Sequence, residues 1–360
     1  MLRFARWKVA SIIALILAAV LTVIPTLLPQ STRAAIDRSL PGWAHLKTLT
    51  LGLDLQGGSY VLLKVDGTDV VKTMVSNLRD DVRRILREEK VAATGGIGVQ
   101  PRGVQFRVME AAERAKIMPK LRALASPQSS ILGSSGAAAY DINDNGSGTI
   151  QISVTDAGVS DKIRRAVEQS IEVIRRRIDA LGTTEPSIQR QGNDRIAVEV
   201  PGLQNPERLK QLLGQTAKLE FRMVAQPGEN PADYEMLDQT NEPGKIPVEK
   251  RVLVQGEDLT DAQPGFDQQT GQPIVNFRFN IRGGQRFAQA TTENVGRPFA
   301  IVLDNKVISA PNIREPILQG SGQISGNFTV EQANDLAILL RAGALPAKLT
   351  IIEEIGRAHV

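Results

Sequence analysis

IRRRIDALGTTEPSIQRQGNDRIAVEVPG, residues 174–202, contains the change of hydrophobic period that decides the fold class. Leading into it, Ile163, Val167, Ile171, Ile174, Ile178 and Leu181 recur every three or four residues, the apolar stripe of an amphipathic helix. Ser160 is placed to cap that helix and Gly182 to end it. Beyond Gly182 the period falls to two. SIQRQ (187–191) and RIAVEV (195–200) flank Gly192-Asn193-Asp194, the pattern of a β-hairpin. A short helix, PERLKQLLG (206–214), and a strand, AKLEFRMV (217–224), follow. Helices and hairpins in this mixture predict an α+β fold.

The same order is legible on the amino-terminal side. YVLLKV (60–65) is β-rich, and Asp66-Gly67 reads as a turn. A helix is expected over about 69–90, with Val71, Met74, Val75, Leu78, Val82, Ile85 and Leu86 on one face. Strands GIGVQ (96–100) and GVQFRVM (103–109), a helix over 110–125, a Ser/Gly/Asn-rich loop over 126–148 and the strand TIQISV (149–154) complete the run. Residues 59–155 and 149–225 therefore each read strand-helix-strand-strand-helix-strand, sharing TIQISV. VRRILREEK and its hairpin parallel VIRRRIDALG and its hairpin about 91 residues later. That order predicts two ferredoxin-like, split βαβ repeats in a base over residues 45–225.

Toward the carboxyl end, residues 226–250 are rich in Pro, Gly, Asn and Glu and read as a linker. A further α/β unit follows, making a head over 226–345. Its strands are IVNFRF (274–279), FAIVLD (299–304), KVIS (306–309) and GQIS (322–325). Its helices are GGQRFAQATTENVG (283–296) and 330–342, the second with Ala333, Leu336, Leu339 and Leu340 on its apolar face. Residues 346–353 are expected to form a return strand.

VASIIALILAAVLTVIPTLL (9–28) is 20 residues without a charge, enough to span about 30 Å of hydrocarbon as a helix. A signal peptide is the other reading, but its apolar region is normally only about 7–15 residues. The expectation is an uncleaved transmembrane helix. Arg3, Arg6 and Lys8 hold residues 1–8 in the cytoplasm, and Trp7 sits at the interface. The linker over 29–44 and everything after it then lie outside the cytoplasm. Removing those three charges from the formal +4 leaves +1 for the rest of the chain, close to neutral. With aromatics at 4%, that argues against a nucleic-acid partner.

Chemistry-bearing motifs are scarce. The chain has no Cys and only His45 and His359, so thiolate and imidazole sites are essentially excluded. No phosphate-binding loop, G-x-S-x-G elbow or H-E-x-x-H occurs, and neither a cofactor nor a metal is expected. Asp141 to Gly146 (DINDNG) matches half of a calcium loop, but Ile152 stands where the bidentate Glu belongs, so an Asn/Gly turn is the reading. Asp54, Asp194, Asp304 and Asp335 have no identifiable partner for acid–base work, and no enzyme is expected. In LGLDLQGGS (51–59), Gly57-Gly58 gives backbone freedom just before a strand, for a tight turn or a close chain approach.

Several blocks together resemble one family. GLDLQGG matches the D-L-x-G-G signature of SecD proteins, carried here by Asp54, Leu55, Gln56, Gly57 and Gly58. IRRRIDALGTTEPSIQRQGNDRIAVEVPG, LGQTAKLEFR, RPFAIVLDNKVISAPNIREPI and LRAGALPAKL are similar to the family's other blocks and spread the likeness from Leu51 to Leu349. The resemblance implies a bacterial inner-membrane protein with a ferredoxin-like periplasmic base and a mobile periplasmic head. It implies a non-enzymatic subunit of the Sec protein translocase that works with SecF beside the SecYEG channel. Its task would be to bind unfolded preprotein and use the proton-motive force to promote translocation. Candidate preprotein contacts are Phe277, Phe279, Phe287 and Phe299, with packing in the head core as the other reading of each. A membrane-anchored periplasmic adaptor or chaperone, and the periplasmic domain of a related proton-driven efflux transporter, are the rival functions. Family members continue into further membrane helices with the acidic residue implicated in proton transport. EIGRAHV (354–360) does not resemble the family and translates common sequencing-adapter DNA, so residues 354–360 are expected to be non-native and the natural protein longer.

Overall fold

The computed structural model describes residues 6–27, 57–125, 138–182, 186–203, 206–240 and 243–357. Helix α1 (Arg6–Leu27) stands first, and its described side chains, among them Ile12, Leu15, Ile16 and Leu17, are exposed. Among the described residues, no helix is long and apolar enough to cross a membrane.

The base has two antiparallel four-stranded sheets. The first joins β1 (Gly58–Val65), β6 (Ser187–Gln191), β7 (Arg195–Pro201) and β16 (Leu349–Arg357) in the order β16-β1-β7-β6. The second joins β2 (Thr94–Gln100), β3 (Gly103–Arg107), β4 (Tyr140–Asp144) and β5 (Thr149–Val154) in the order β2-β3-β5-β4. Helices α2 (Gly67–Glu88), α3 (Ala111–Ala125), α4 (Asp156–Asp179) and α5 (Pro206–Gly214) complete it. Period-two burial in β5 turns Ile150, Ile152 and Val154 inward, and β7 does the same with Ile196, Val198 and Val200. Both sets join the α2 stripe (Met74, Leu78, Val82) and the α4 stripe (Val167, Ile174, Ile178) in one core.

Several expectations change here. TIQISV is not shared: β5 pairs with β3 and β4 alone. The first sheet is completed by β16, from the far end of the chain, so the whole head is inserted between α5 and β16. Helix α4 also starts earlier than Ser160. Thr155 caps it, its Oγ1 accepting from Gly158 N at 2.9 Å. Asp66 is likewise a cap and not a turn residue, accepting from Thr68 N at 2.9 Å and Asp69 N at 3.3 Å.

The head combines a closed barrel with a small sheet. The barrel order is β10-β8-β13-β14-β9, from β8 (Leu219–Val224), β9 (Tyr234–Gln239), β10 (Lys245–Gln255), β13 (Phe299–Leu303) and β14 (Lys306–Ser309). The sheet order is β11-β12-β15, from β11 (Leu259–Phe266), β12 (Pro273–Phe279) and β15 (Ser321–Ile324). Helices α6 (Ile281–Glu293) and α7 (Val330–Ala342) pack on them, α7 opening with a Thr329/Gln332 capping box. The barrel draws strands from both sides of residue 225. β8 was expected to close the base and instead sits at the heart of the head, while the expected linker supplies β9 and most of β10. Pro247 is tolerated within β10, opposite Met236 of β9, close to the β8–β10 register shift.

The return strand also runs past 353. Glu354, Ile355, Gly356 and Arg357 oppose Val61, Tyr60, Ser59 and Gly58 of β1. Such pairing is made by backbone groups and accepts almost any residue, so it is indifferent to the origin of those positions.

Candidate functional site

Three places gather the residues of interest: the glycine pair at the start of β1, the joint between base and head, and a cleft in the head. At the first, Gly57 and Gly58 have φ of 68° and 144°. A Cβ on Gly58 would lie 2.4 Å from Val200 O, and Gly202 N donates to Gly57 O at 3.0 Å. Glycine is needed because the incoming chain presses against the end of β7 in a left-handed conformation. Asp54, Leu55 and Gln56 lie outside the described residues.

The joint is organised by Arg177, which is fully buried on α4. Its Nη1 donates to Leu212 O at 2.5 Å and Gln215 O at 2.6 Å; its Nη2 donates to Thr216 O and Gly343 O, both at 3.3 Å. The first carbonyl is in the last turns of α5, and the other three belong to the two chain passes that connect base and head. Leu345 N donates to Thr216 O at 2.8 Å and ties the passes together. Burial pushes the guanidinium down to about 10, opposed by the field of Asp304, so it remains charged at neutral pH. Asp304 accepts from Ala217 N and Lys218 N, both at 2.9 Å, where Ala217 adopts a positive φ of 59°. Arg208 of α5 reaches Asp335 of α7 at 2.6 Å across the same boundary. Asp194 sits 3.5 Å from Lys64. The carboxylates Asp194, Asp304 and Asp335, without partners in the sequence reading, therefore each hold structural ones. Arg177 was missed because it stands in an Arg-Arg-Arg run. The available signal is its spacing, three residues after Ile174 on the apolar stripe.

The head cleft has a volume of about 1220 Å³. Phe277, Phe287, Phe299 and Ile313 form its floor, while Asn276 and Gln323 stand on one wall and Asn312 on the other. Thr291 Oγ1 of α6 accepts from Ile317 N at 3.0 Å, fixing the second wall to the helix beneath. A turn over 267–272 forms the rim. There Thr270 N and Oγ1 and Gln269 N hold the Asp267 carboxyl below its ordinary range.

The four phenylalanines do come together, around a fifth ring that sequence reasoning did not single out. Phe221 of β8 lies 5.4, 5.2, 5.9 and 5.6 Å, ring to ring, from Phe277, Phe279, Phe287 and Phe299. All four candidates are 2–6% exposed. All four pack in the head core, and Phe277, Phe287 and Phe299 also line the cleft, whereas Phe279 does not. Among the described residues no group of acidic or histidine side chains could hold a metal ion.

Comparison with known proteins gives concordant matches. The SecD/SecF GG motif model matches residues 46–69. The model of the N-terminal P1 domain of protein translocase subunit SecDF matches 167–226, and that of the SecDF P1 head subdomain matches 234–347. Among curated proteins, the protein translocase subunit SecD of Rhodobacter capsulatus is 39% identical over 98% of this chain and 68% of its own length. That of Acetobacter pasteurianus is 39% identical over 98% of this chain and 66% of its own, and that of Rickettsia bellii 39% over 89% and 62%. The chain thus spans about two thirds of the length of these relatives. A solved SecDF described as a membrane component that enhances protein export is 36% identical, covering 54% of this chain and 94% of its own, with a TM-score of 0.45. A SecDF crystal structure in a super-membrane-facing form is 26% identical, covering 94% and 35%, with a TM-score of 0.49.

Proposed function

The chain belongs to the SecD family of protein translocase subunits, and from that premise we propose that it is a non-enzymatic accessory subunit of the Sec translocase that captures emerging preprotein in the head cleft. In the whole protein, SecF and the SecYEG channel are its partners and the proton-motive force supplies the work. The observation that carries preprotein capture is the cleft itself, with an aromatic floor, polar side chains from Asn276, Gln323 and Asn312, and charges of both signs around them. Such a lining offers apolar contact and hydrogen bonds without demanding one sequence.

The reading extends to the frame around the cleft. Residues 9–28 anchor the chain in the bacterial inner membrane with residues 1–8 cytoplasmic, supported by the 20 uncharged residues and the bounds of α1. Base and head are then periplasmic. Each base sheet is a ferredoxin-like unit. β1, α4, β6, β7, α5 and β16 run in split βαβ order, and α2, β2, β3, α3, β4 and β5 follow the same cyclic order begun at a helix. In this frame the head swings as a body on the two passes held by Arg177, a hinge-type motion.

Photocrosslinkers at Asn276, Asn312 and Gln323, introduced during export of a stalled precursor, test the reading. Adducts at these three positions and none at Lys162 on the base are expected. Adducts at Lys162 alone, or at neither place, would remove the cleft from the mechanism.

A further inference from the structure

The two edges of the head sheet are finished in opposite ways. Opposed residues in an antiparallel ladder alternate between pairs that exchange backbone hydrogen bonds and pairs whose N–H and C=O groups point away. Phe279 N donates to Gly320 O at 2.8 Å, which sets the parity for β12 and β15. Along that register Phe277 and Gly322 exchange bonds, whereas Arg278 opposite Ser321 and Asn276 opposite Gln323 do not. Ser321 and Gln323 therefore direct their backbone groups outward from the free side of β15. By the same count Ala262, opposite Phe277, is the outward-facing residue of β11, and Pro264 falls where no ladder N–H is required.

At β11 those outward groups are taken. Asp261 Oδ1 accepts from Ala262 N at 2.9 Å, and Arg341 of α7 donates to Ala262 O at 3.1 and 2.8 Å. At β15 no described strand pairs with the edge, and Ser321 and Gln323 line the cleft. The opposite wall is already strand-like: Phe299 N donates to Pro311 O at 2.9 Å and Ile313 N to Arg297 O at 3.0 Å. One edge is closed by side chains. The other opens onto an aromatic floor.

The geometry points to strand addition: an extended segment of unfolded polypeptide binds in the head cleft as a further strand on the free edge of β15. This rests on the preprotein reading above and specifies how the cleft holds its substrate. Charge complementarity favours a polypeptide backbone over an ionic ligand. The lining carries Asp261, Asp267 and Glu315 against Arg278 and Arg314, which is near balance and selects neither sign. Backbone hydrogen bonds supply affinity, and alternate side chains of the bound segment meet the floor formed by Phe277, Phe287 and Phe299. The cleft then prefers apolar residues at every second position and tolerates most residues between them.

The test uses the full chain in detergent and a fluorescent peptide of alternating valine and serine, read by anisotropy. Two derivatives carry backbone N-methyl groups on either the valines or the serines. One derivative is expected to bind about tenfold more weakly and the other within about twofold of the parent, the signature of one or two lost backbone hydrogen bonds in a single register. Gln323→Pro removes one outward N–H without touching the β12 ladder, and is expected to weaken the parent peptide about tenfold while circular dichroism stays unchanged. Equal affinity of both derivatives and the parent overturns strand addition and leaves preprotein capture standing. Failure of the parent peptide to bind overturns capture itself, and this mode with it.

Discussion

In the base, two four-stranded sheets share one largely aliphatic core, with Phe106 its one fully buried ring among the described residues, whereas the head packs a five-stranded barrel and a three-stranded sheet around five phenylalanine rings. The aliphatic core is continuous because helices α2 and α4 contribute to it together with strands of both sheets. Large rings in the head fill the same role with fewer residues, at centroid spacings between 5.1 and 6.1 Å. They leave the barrel and the small sheet standing apart at one side, and the cleft lies there. The contrast teaches that side chains shared between two sheets join the base into one core, whereas ring packing in the head leaves a cleft beside the free edge of β15.

The contrast can be broken most severely at its centre. Phe221→Ala removes the ring on which the other four converge and should cost about 4 kcal/mol, confined to the head. Hydrogen exchange should then show early opening of β8, β12 and β13 with β5 and β7 still protected. Uniform loss across both regions would mean that base and head form one cooperative unit. Arg177→Met acts on the joint. It strands buried carbonyls of both passes and should cost about 3 kcal/mol in chemical denaturation. Gly58→Ala tests the base alone. The new Cβ meets Val200 O at 2.4 Å at a φ of 144°, and a loss of about 2 kcal/mol in chemical denaturation is expected. Gly96→Ala, with open space around its Cβ, should cost less.

The smallest effect concerns Asp66, the cap of α2. Slight burial pulls its carboxyl upward, but bonds from Asp69 N and Thr68 N prevail and lower it overall. A lowered folded value contributes stability above the unfolded value, and this is lost as pH falls through the folded one. Asp66→Ala should cost about 1 kcal/mol at neutral pH by thermal melting. The difference from the parent should shrink on acidification below about pH 4.

Much of the local structure was legible from residue spacing. The stripes of α2 and α4, the hairpin around Gly192-Asn193-Asp194 and the full extent of α7 follow from period and capping chemistry. Pairing across long separations was not. Period two says that TIQISV is a strand, but not that it serves only the second sheet, nor that Val65 will find Leu349. The segment 226–250 misled because Pro and Gly density signals a break, and here the barrel's closure overrides that signal. The candidate phenylalanines were found by residue type, yet their burial came from Phe221, whose strand had been assigned to the base.

By itself the sequence determined the elements and the chemistry this chain lacks: no cysteine, two histidines, and apolar stripes that must be buried. Those follow from composition and from backbone periodicity, which are local. Tertiary structure alone decided which edge of the head sheet is closed, by Arg341 reaching Ala262, and which is left open at Ser321 and Gln323. It also made Arg177 a pin, because only the meeting of α4 with the end of α5 and two distant chain passes brings four carbonyls to its buried guanidinium.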